Sequence, residues 1–184
     1  YAQQAADQLA AAGVDARIEI SGTGQRELVQ AGAAGVARLG LEATAVTWAQ
    51  QRRYADEWFA DAELVPTEGL VEGLRIVKDA GEVARIEAAA HIADAALADV
   101  RALLLDGPTE EAFGLALDTA IRRLGAEGTS FETIVASGPN GAKPHHRPGS
   151  RRIEVGDLVV LDFGALVDGY CSDMTRTVMV GDPS

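Results

Sequence analysis

Residues 158–177, LVVLDFGALVDGYCSDMTRT, constrain the possible folds more than any other stretch of the sequence. Two largely apolar runs flank the dipeptide Asp168-Gly169, which is typical of tight β-hairpin turns. In the first run the aliphatic residues follow one another without alternation, a pattern that indicates a strand covered on both faces. We therefore predict a hairpin inside a larger domain, with its turn close to Asp168-Gly169.

Two aspartates, Asp162 and Asp173, interrupt the predicted strands. If the loop spans residues 166–169, the two aspartates lie directly opposite each other, whereas a two-residue turn makes them diagonal neighbours on one face. Like charges at such positions destabilise a sheet, so a shared proton or a divalent cation is needed to compensate them. The structural alternative is that one aspartate caps a turn or pairs with Arg176.

The composition limits the classes of function. With 184 residues and 47% hydrophobic content, the chain can bury a sizeable core in one or two domains. The formal net charge of −12, from 16 basic and 28 acidic residues, argues against nucleic acid or an anionic membrane as a partner. No apolar run approaches the length of a membrane span, so we expect no membrane association. Cys171 is the single cysteine, which rules out an internal disulfide and fits a cytoplasmic location.

Helical and strand patterns alternate in the first third of the chain, which predicts a small α/β unit. The expected helices cover residues 1–12, 27–34 and 47–59; the expected strands cover residues 17–20, 36–41 and 63–65, with a loop at residues 21–24. We expect the aromatic set Trp48, Tyr54, Trp58 and Phe59 to pack in a core. From Glu68 onward longer helical patterns follow, so we predict an α/β (α+β) fold with domains at residues 1–68 and 69–184.

Two long helical patterns, residues 82–105 and 109–124, precede an expected strand at residues 131–136. Thr109 fits the N-cap position of the second helix. Glu110 follows it in the first turn, where an acidic side chain interacts favourably with the helix dipole. This pattern predicts an ordinary, well-capped helix.

Two adjacent histidines, His145 and His146, lie between two prolines in the segment 144–148, PHHRP. In extended chain adjacent side chains point to opposite sides, so at most one of the two is expected to face any one pocket. The prolines stiffen the segment and lower the entropy lost in aiming an imidazole. His91 follows Glu87 by four residues, and we expect it to be an exposed helix histidine rather than a metal ligand.

Three segments together resemble a known family. They are LRIVKDAGEVARIEAAA at residues 74–90, FETIVASGPNGAKPHHRPG at residues 131–149 and IEVGDLVVLDFGALVDGYCSDMTRT at residues 153–177. They look like the Xaa-Pro peptidases of the metallopeptidase family with the pita-bread fold, which are the Xaa-Pro aminopeptidases and prolidases. A proline-preceded His145 lies 17 positions before Asp162, and Asp173 lies 11 positions after Asp162.

The resemblance implies a hydrolase with two divalent metal ions, most often manganese, with cobalt or zinc as alternatives. It implies that Asp162 and Asp173 are metal ligands, with Asp173 bridging the ions, and that His145 contacts the substrate as a catalytic residue. Thr175 and Thr177 would orient the ligands through hydrogen bonds, or serve only as strand formers. The implied partners are a peptide with proline in its second position and a second copy of the chain in a homodimer.

The remaining family ligands, a histidine and two glutamates, are expected beyond Ser184. The chain is therefore interpreted as part of an N-terminal domain followed by the first half of a catalytic domain, and it is expected to be inactive alone. Two alternatives stay open. One is a catalytically silent pita-bread protein that acts as a binding or scaffold module, and the other is a metal-independent, creatinase-like hydrolase.

Overall fold

The computed structural model describes residues 2–20 and 24–181 of the chain. The chain forms two compact units, Tyr1–Ile76 and Val77–Ser184. Helices and strands occur in both, so the expected mixed α/β class is confirmed. The boundary predicted after residue 68 separates domains of the whole protein, which the two compact units of this chain do not test. It therefore stays a prediction. Among the described residues, no helix combines the length and the apolar character that a bilayer crossing requires.

The first unit is built around two parallel strands. Its elements are α1 (Ala2–Ala11), α2 (Gln25–Gly32), β1 (Arg38–Glu42), α3 (Trp48–Arg53) continued by a π-helical turn (Tyr54–Trp58), β2 (Glu63–Thr67) and α4 (Leu70–Ile76). Strands β1 and β2 pair in parallel from Arg38 opposite Glu63 to Glu42 opposite Thr67. The predicted alternation of helices and strands is therefore confirmed in this unit, with one exception.

The exception is the strand expected at residues 17–20, which is wrong. Residues 14–20 form neither helix nor strand, and Ile20 is 76% exposed. An alternating pattern forms a strand only when a neighbouring strand supplies backbone partners, and β1 pairs instead with β2. The loop predicted at residues 21–24 falls mostly on residues 21–23, which lie outside the described residues.

Of the four aromatic residues predicted to pack in a core of the first unit, three contact one another but are only half-buried, and the fourth is exposed. Tyr54 and Trp58 have ring centroids 5.1 Å apart, and Phe59 lies 6.0 Å from Tyr54 and 6.3 Å from Trp58. The backbone N–H of Phe59 donates to the carbonyl of Tyr54, a π-type bond that closes the helix beside these rings. Trp48, the first residue of α3, is instead 78% exposed.

Two packed helices begin the second unit, and both confirm the sequence patterns. Helix α5 (Ala80–Val100) continues as a 3-10 helix over Arg101–Asp106, and α6 (Glu110–Arg123) follows. Asp79 caps α5 by accepting a hydrogen bond from the N–H of Glu82, whose carboxylate accepts from the N–H of Asp79 in return. Thr109 caps α6 by the predicted side-chain hydrogen bond.

The strands of the second unit form two three-stranded antiparallel sheets. The strands are β3 (Gly128–Thr129), β4 (Ile134–Ser137), β5 (Leu158–Phe163), β6 (Ala165–Val167), β7 (Tyr170–Cys171) and β8 (Met174–Met179). One sheet has the order β3-β6-β7 and the other has the order β4-β5-β8. A 3-10 turn, Gly138–Ala142, follows β4 and leads into the histidine segment.

The hairpin turn decides between the two predicted registers. Val167 pairs with Tyr170, so the turn has only the two residues Asp168 and Gly169, with φ angles of 47° and 77°. Two positive φ angles are the signature of a hairpin turn that matches strand twist. Farther along the hairpin, Asp162 pairs with Thr175. The aspartates are therefore diagonal neighbours, which confirms the two-residue alternative.

Strand β5 is buried on one face only, so the prediction that both faces are covered is wrong for the described residues. Val159, Leu161 and Phe163 are wholly buried against the helices, whereas Leu158 is 57% exposed. Burying each such side chain contributes about 1.5–3 kcal/mol, which fixes the orientation of the strand. Asp162 lies on the opposite face from this core, because side chains alternate along a strand.

A glycine separates β5 from β6 at the point where the hairpin is narrowest. A Cβ atom on Gly164 would lie 2.0 Å from the carbonyl oxygen of Ser172 and 2.1 Å from Oγ of Ser130. Ser130 donates a hydrogen bond to that same carbonyl across 2.7 Å, and the N–H of Ala165 donates to Oγ of Ser172 across 3.0 Å. The chain at residue 164 can approach Ser172 this closely only because residue 164 has no side chain.

Gly164→Ala should lower the free energy of unfolding by about 3 kcal/mol or more, because the clashing carbonyl belongs to the backbone and cannot rotate away. Gly149→Ala is the matched control, since a Cβ there meets no atom within 4 Å. Urea denaturation of both variants checks this expectation. Equal stability of the two variants would contradict the close approach.

Candidate functional site

A cleft of about 420 Å³ in the second unit brings together the residues singled out in the sequence. Its walls include His145, His146, Asp162 and Asp173, together with the segment from Phe131 to Ile134 and the chain at Arg147 and Pro148. The cleft thus combines two carboxylates and two imidazoles from segments that are distant in sequence. This clustering makes it the candidate functional site.

The two aspartates hold different positions at the cleft. Asp162 is half-buried in β5, and its Oδ1 accepts a hydrogen bond from the hydroxyl of Thr175 across 2.8 Å. Asp173 is exposed, immediately before β8. Thr177 pairs with Val160 and makes no side-chain hydrogen bond within the described part of the chain. Of the two threonines, Thr175 alone is therefore in contact with a predicted ligand.

Neither cleft aspartate pairs with Arg176, the structural alternative considered from the sequence. Arg176 instead contacts Asp94 of α5, with an N–O distance of 3.1 Å. The turn position is filled by Asp168, which lies 3.7 Å from the guanidinium of Arg85. The repulsion between Asp162 and Asp173 is thus not relieved by that arginine.

The cleft offers ligand atoms of the type that divalent metal ions prefer, but fewer of them than such an ion needs. Carboxylate oxygens on rigid strands are the ligands that manganese and magnesium prefer. Asp162 supplies such oxygens from β5, and Asp173 supplies them from the position immediately before β8. No group of three or more histidine, cysteine, aspartate or glutamate residues that could hold a metal ion occurs among the described residues. These two aspartates are therefore suitable ligands that form only part of a complete set.

Both histidines face the cleft, so the expectation that at most one of them would do so is wrong. His145 has a φ of 55°, which is unusual for a residue with a side chain. The chain therefore turns at Pro144–His145 instead of running extended, and the rule of alternating sides does not apply. His145 is exposed, whereas the side chain of His146 is only 14% exposed.

The carboxylate of Glu110 anchors the histidine segment from behind. It is wholly buried at the start of α6. Its Oε1 accepts hydrogen bonds from the N–H and hydroxyl of Ser137 and from the amide of Asn140, at 2.7–2.9 Å. Its Oε2 lies 2.8 Å from Nε2 of His146 and accepts from the N–H of Gly149 across 3.2 Å.

The surroundings of Glu110 act on its pKa in opposite directions. Burial raises the pKa of this carboxyl, but the donors from Asn140, Ser137 and His146 outweigh burial and lower it from 4.5 to about 2. The carboxylate is therefore ionised at neutral pH, although no water reaches it. An ion in such a place is stable only while its hydrogen-bond donors stay in position.

A salt bridge between Arg151 and Asp157 extends this network. Arg151 donates through Nη1 to Oγ of Ser137 and forms two hydrogen bonds, of 2.6 Å and 3.0 Å, to the carboxylate of Asp157. The hydrogen bonds from Arg151 hold the pKa of Asp157 below its usual range. Asp157 lies just before β5, so the network links the end of β4, the histidine segment and the strand that carries Asp162.

Two family models match the chain and together cover almost all of it. Residues 84–184 match the metallopeptidase family M24, and residues 1–77 match the Creatinase/Prolidase N-terminal domain. The first match covers more than half of the chain and contains the whole cleft. The chain belongs to metallopeptidase family M24. This confirms the resemblance seen in the sequence motifs.

Curated relatives support the same family. An uncharacterized peptidase, YqhT, of Bacillus subtilis is 44% identical over 150 residues, which are 82% of this chain and 42% of that protein. A Xaa-Pro dipeptidase of Pyrococcus furiosus is 39% identical over 122 residues, which are 66% of this chain and 35% of that protein. The chain spans less than half the length of these M24 relatives.

Solved structures agree with the fold. The X-Pro aminopeptidase of Thermotoga maritima is 33% identical with a TM-score of 0.83, over 90% of this chain and 47% of that one. The Xaa-Pro dipeptidase of Bacillus anthracis is 37% identical with a TM-score of 0.83, over 100% of this chain and 51% of that one. The two units thus match the N-terminal part and the first half of the pita-bread fold of prolidases.

Sequence reasoning missed the role of Glu110 in this M24 cleft. It treated Glu110 as an acid in the first turn of a helix, because no local pattern links it to His146, 36 residues later. Conversely, His91 lies where the sequence placed it, exposed on α5 and 3.6 Å from Glu87. Cys171 is also exposed and takes no part in the cleft lining.

The low pKa of Glu110 predicts how the stability of the chain depends on acid. Because that pKa is about 2 in the folded chain against 4.5 ordinarily, its stabilisation is complete above about pH 4.5 and is lost as the pH falls towards 2. The loss amounts to roughly 3 kcal/mol. Urea denaturation from pH 7 to pH 2.5 measures it.

Glu110→Gln should be less stable than the wild type at pH 7 and should show a flatter dependence on pH below 4.5. Glu111→Gln, at the neighbouring exposed position of α6, should follow the wild type. If Glu110→Gln and the wild type lost equal stability over this range, the depressed pKa of Glu110 would be wrong.

Proposed function

We propose that the whole protein hydrolyses the peptide bond between an N-terminal residue and proline, as an Xaa-Pro aminopeptidase or dipeptidase that depends on divalent metal ions. The single observation that carries this proposal is the cleft itself, because Asp162, Asp173 and His145 line it together in a chain of the M24 family. Relatives named as Xaa-Pro dipeptidases and an X-Pro aminopeptidase support the substrate class.

The domain arrangement follows from the same reasoning. We infer that residues 1–68 belong to the N-terminal domain of the whole protein and that residues 69–184 form the first half of its catalytic domain. The matched relatives are about twice as long as this chain, which supports the inference. We further propose that the protein works in the cytoplasm, because its single cysteine fits a reducing compartment. We also propose that it forms a homodimer, which rests on the family resemblance.

In this proposal Asp162 and Asp173 hold the metal ions. Their hard oxygen atoms favour manganese most, with cobalt or zinc as alternatives if an imidazole joins the set. Bound ions would supply Lewis-acid chemistry and a water molecule that ionises at neutral pH. Thr175 keeps one oxygen of Asp162 engaged by its hydroxyl hydrogen bond, which leaves the other oxygen of that carboxylate for an ion.

His145 is proposed to act on the substrate. It is exposed at the cleft, and a turn with positive φ presents its imidazole there. A donor N–H from His145 would stabilise negative charge on the carbonyl oxygen of the bond that breaks. The chain around it is held in place by Glu110 through the neighbouring His146 and Gly149, which fixes the backbone that carries this imidazole.

Residues 1–184 alone should bind manganese weakly and hydrolyse nothing, because two carboxylates are too few to fix a pair of ions. Electron paramagnetic resonance of free manganese measures binding, and an Xaa-Pro dipeptide and an Xaa-Pro-Xaa tripeptide serve as substrates. Asp162→Asn and Asp173→Asn should each abolish the residual binding. Asp168→Asn is the matched control, since asparagine also tolerates the left-handed turn position. Tight binding with turnover by this chain would refute the proposed incompleteness.

In the whole protein the same substitutions at Asp162 and Asp173 should lower kcat/KM for an Xaa-Pro peptide by a factor of about 10³ or more, on the scale of losing a main catalytic group. A chelator should abolish the activity and manganese should restore it. A whole protein that binds manganese through these residues but hydrolyses no such peptide would instead be a binding module.

Thr175→Val should weaken manganese binding about tenfold, because Asp162 loses the hydroxyl that orients it. Thr177→Val is similar in size and position but removes no hydrogen bond to a ligand, so its dissociation constant should change little. Manganese titrations of the two variants, side by side, check this difference. Equal effects would mean that the threonines act only as strand formers.

A further inference from the structure

The pairing between Glu110 and His146 has a chemical consequence for the imidazole. Every other partner of this carboxylate donates a hydrogen: the N–H of Ser137 and of Gly149, the hydroxyl of Ser137 and the amide of Asn140. An ionised carboxylate accepts and never donates. At 2.8 Å from Oε2, Nε2 of His146 must therefore carry the hydrogen in this contact.

The other ring nitrogen of His146 is left free by this arrangement. Apart from Glu110, His146 has no hydrogen-bond partner among the described residues. Nor does the described part of the chain contain a buried side-chain nitrogen or oxygen without a partner. Nδ1 is therefore accessible, and it belongs to a ring that lines the cleft with Asp162 and Asp173. In the neutral ring, an Nε2–H leaves a lone pair on Nδ1.

A role as a third metal ligand does not fit this nitrogen. Asp162, Asp173 and His146 line the same cleft. Within the described ranges, however, they do not form a group of three ligands that could hold an ion. The lone pair is therefore available to the donor group of an organic ligand instead.

We propose that Glu110 is a positioning residue that fixes His146 in the Nε2–H form, so that Nδ1 of His146 faces the cleft as a hydrogen-bond acceptor for a bound ligand. The arrangement is that of a buried carboxylate holding an imidazole in one tautomer. His146 thereby gains a role distinct from that of His145, which stands as a donor in the proposed reaction.

Nitrogen-15 NMR of the chain tests the tautomer without metal and without turnover, so its result is independent of the proposed function. The chain has 3 histidines, which makes assignment direct. At a pH well above the ordinary imidazole range, His146 should show a protonated Nε2 and an unprotonated Nδ1. A protonated Nδ1, or an even mixture of the two forms, would overturn the proposal.

Glu110→Gln provides the discriminating variant. A glutamine that keeps its oxygen towards Ser137 and Asn140 presents its NH₂ group to Nε2 of His146 and loses the hydrogen bond from the N–H of Gly149. His146 should then switch to the Nδ1–H form. Glu111→Gln should leave the spectrum of His146 unchanged. An unchanged tautomer in folded Glu110→Gln would overturn the positioning role.

If Glu110→Gln fails to fold, chemical modification of the wild type tests whether Nδ1 of His146 is accessible. Diethyl pyrocarbonate attacks accessible imidazole nitrogen that carries a lone pair, and mass spectrometry locates the product. In the wild type, His146 should react although its ring is mostly buried, with the exposed His91 as the internal reference. Protection of His146 in the folded wild type would show that Nδ1 does not face the cleft.

Discussion

The buried carboxylate of Glu110 is the interaction on which the arrangement of the cleft depends. Removing an ion from water is strongly unfavourable, and only five surrounding contacts make this one stable. Those contacts come from the end of β4, the 3-10 turn and both sides of the histidine segment. Because each partner is needed to solvate the charge, the ion holds these segments together. Arg151 and Asp157 extend the same network to the start of β5, the strand of Asp162.

The hairpin brings two negative charges, those of Asp162 and Asp173, close to each other. Its two-residue turn sets the register, and burial of Val159, Leu161 and Phe163 keeps β5 from slipping by one residue, which would turn Asp162 into the core. Gly164 then allows the strands to close where a side chain would hold them apart. Hydrophobic burial and a missing side chain thus bring the two carboxylates to one cleft.

Much of the fold could be predicted because its signals are local. Thr109, the Asp168-Gly169 turn and the long apolar faces of α5 and α6 act within a few residues, and each is found where the sequence placed it. The contact between Glu110 and His146 could not be predicted, because it depends on the packing of α6 against β4 and not on any spacing. The positive φ of His145 is also set by its surroundings, and it reversed the expectation for the adjacent histidines. The strand expected at residues 17–20 failed because its alternation had no partner to pair with.

Strand β8 has a consequence of its own. In the order β4-β5-β8 it is a terminal strand, so among the described residues one side of its backbone bonds to β5 and the other side has no strand beside it. Such an edge is a template on which another strand adds, whether from the same protein or from a neighbouring molecule. The polar side chains of Thr175, Arg176 and Thr177 alternate between the two faces of this edge strand and discourage indiscriminate stacking.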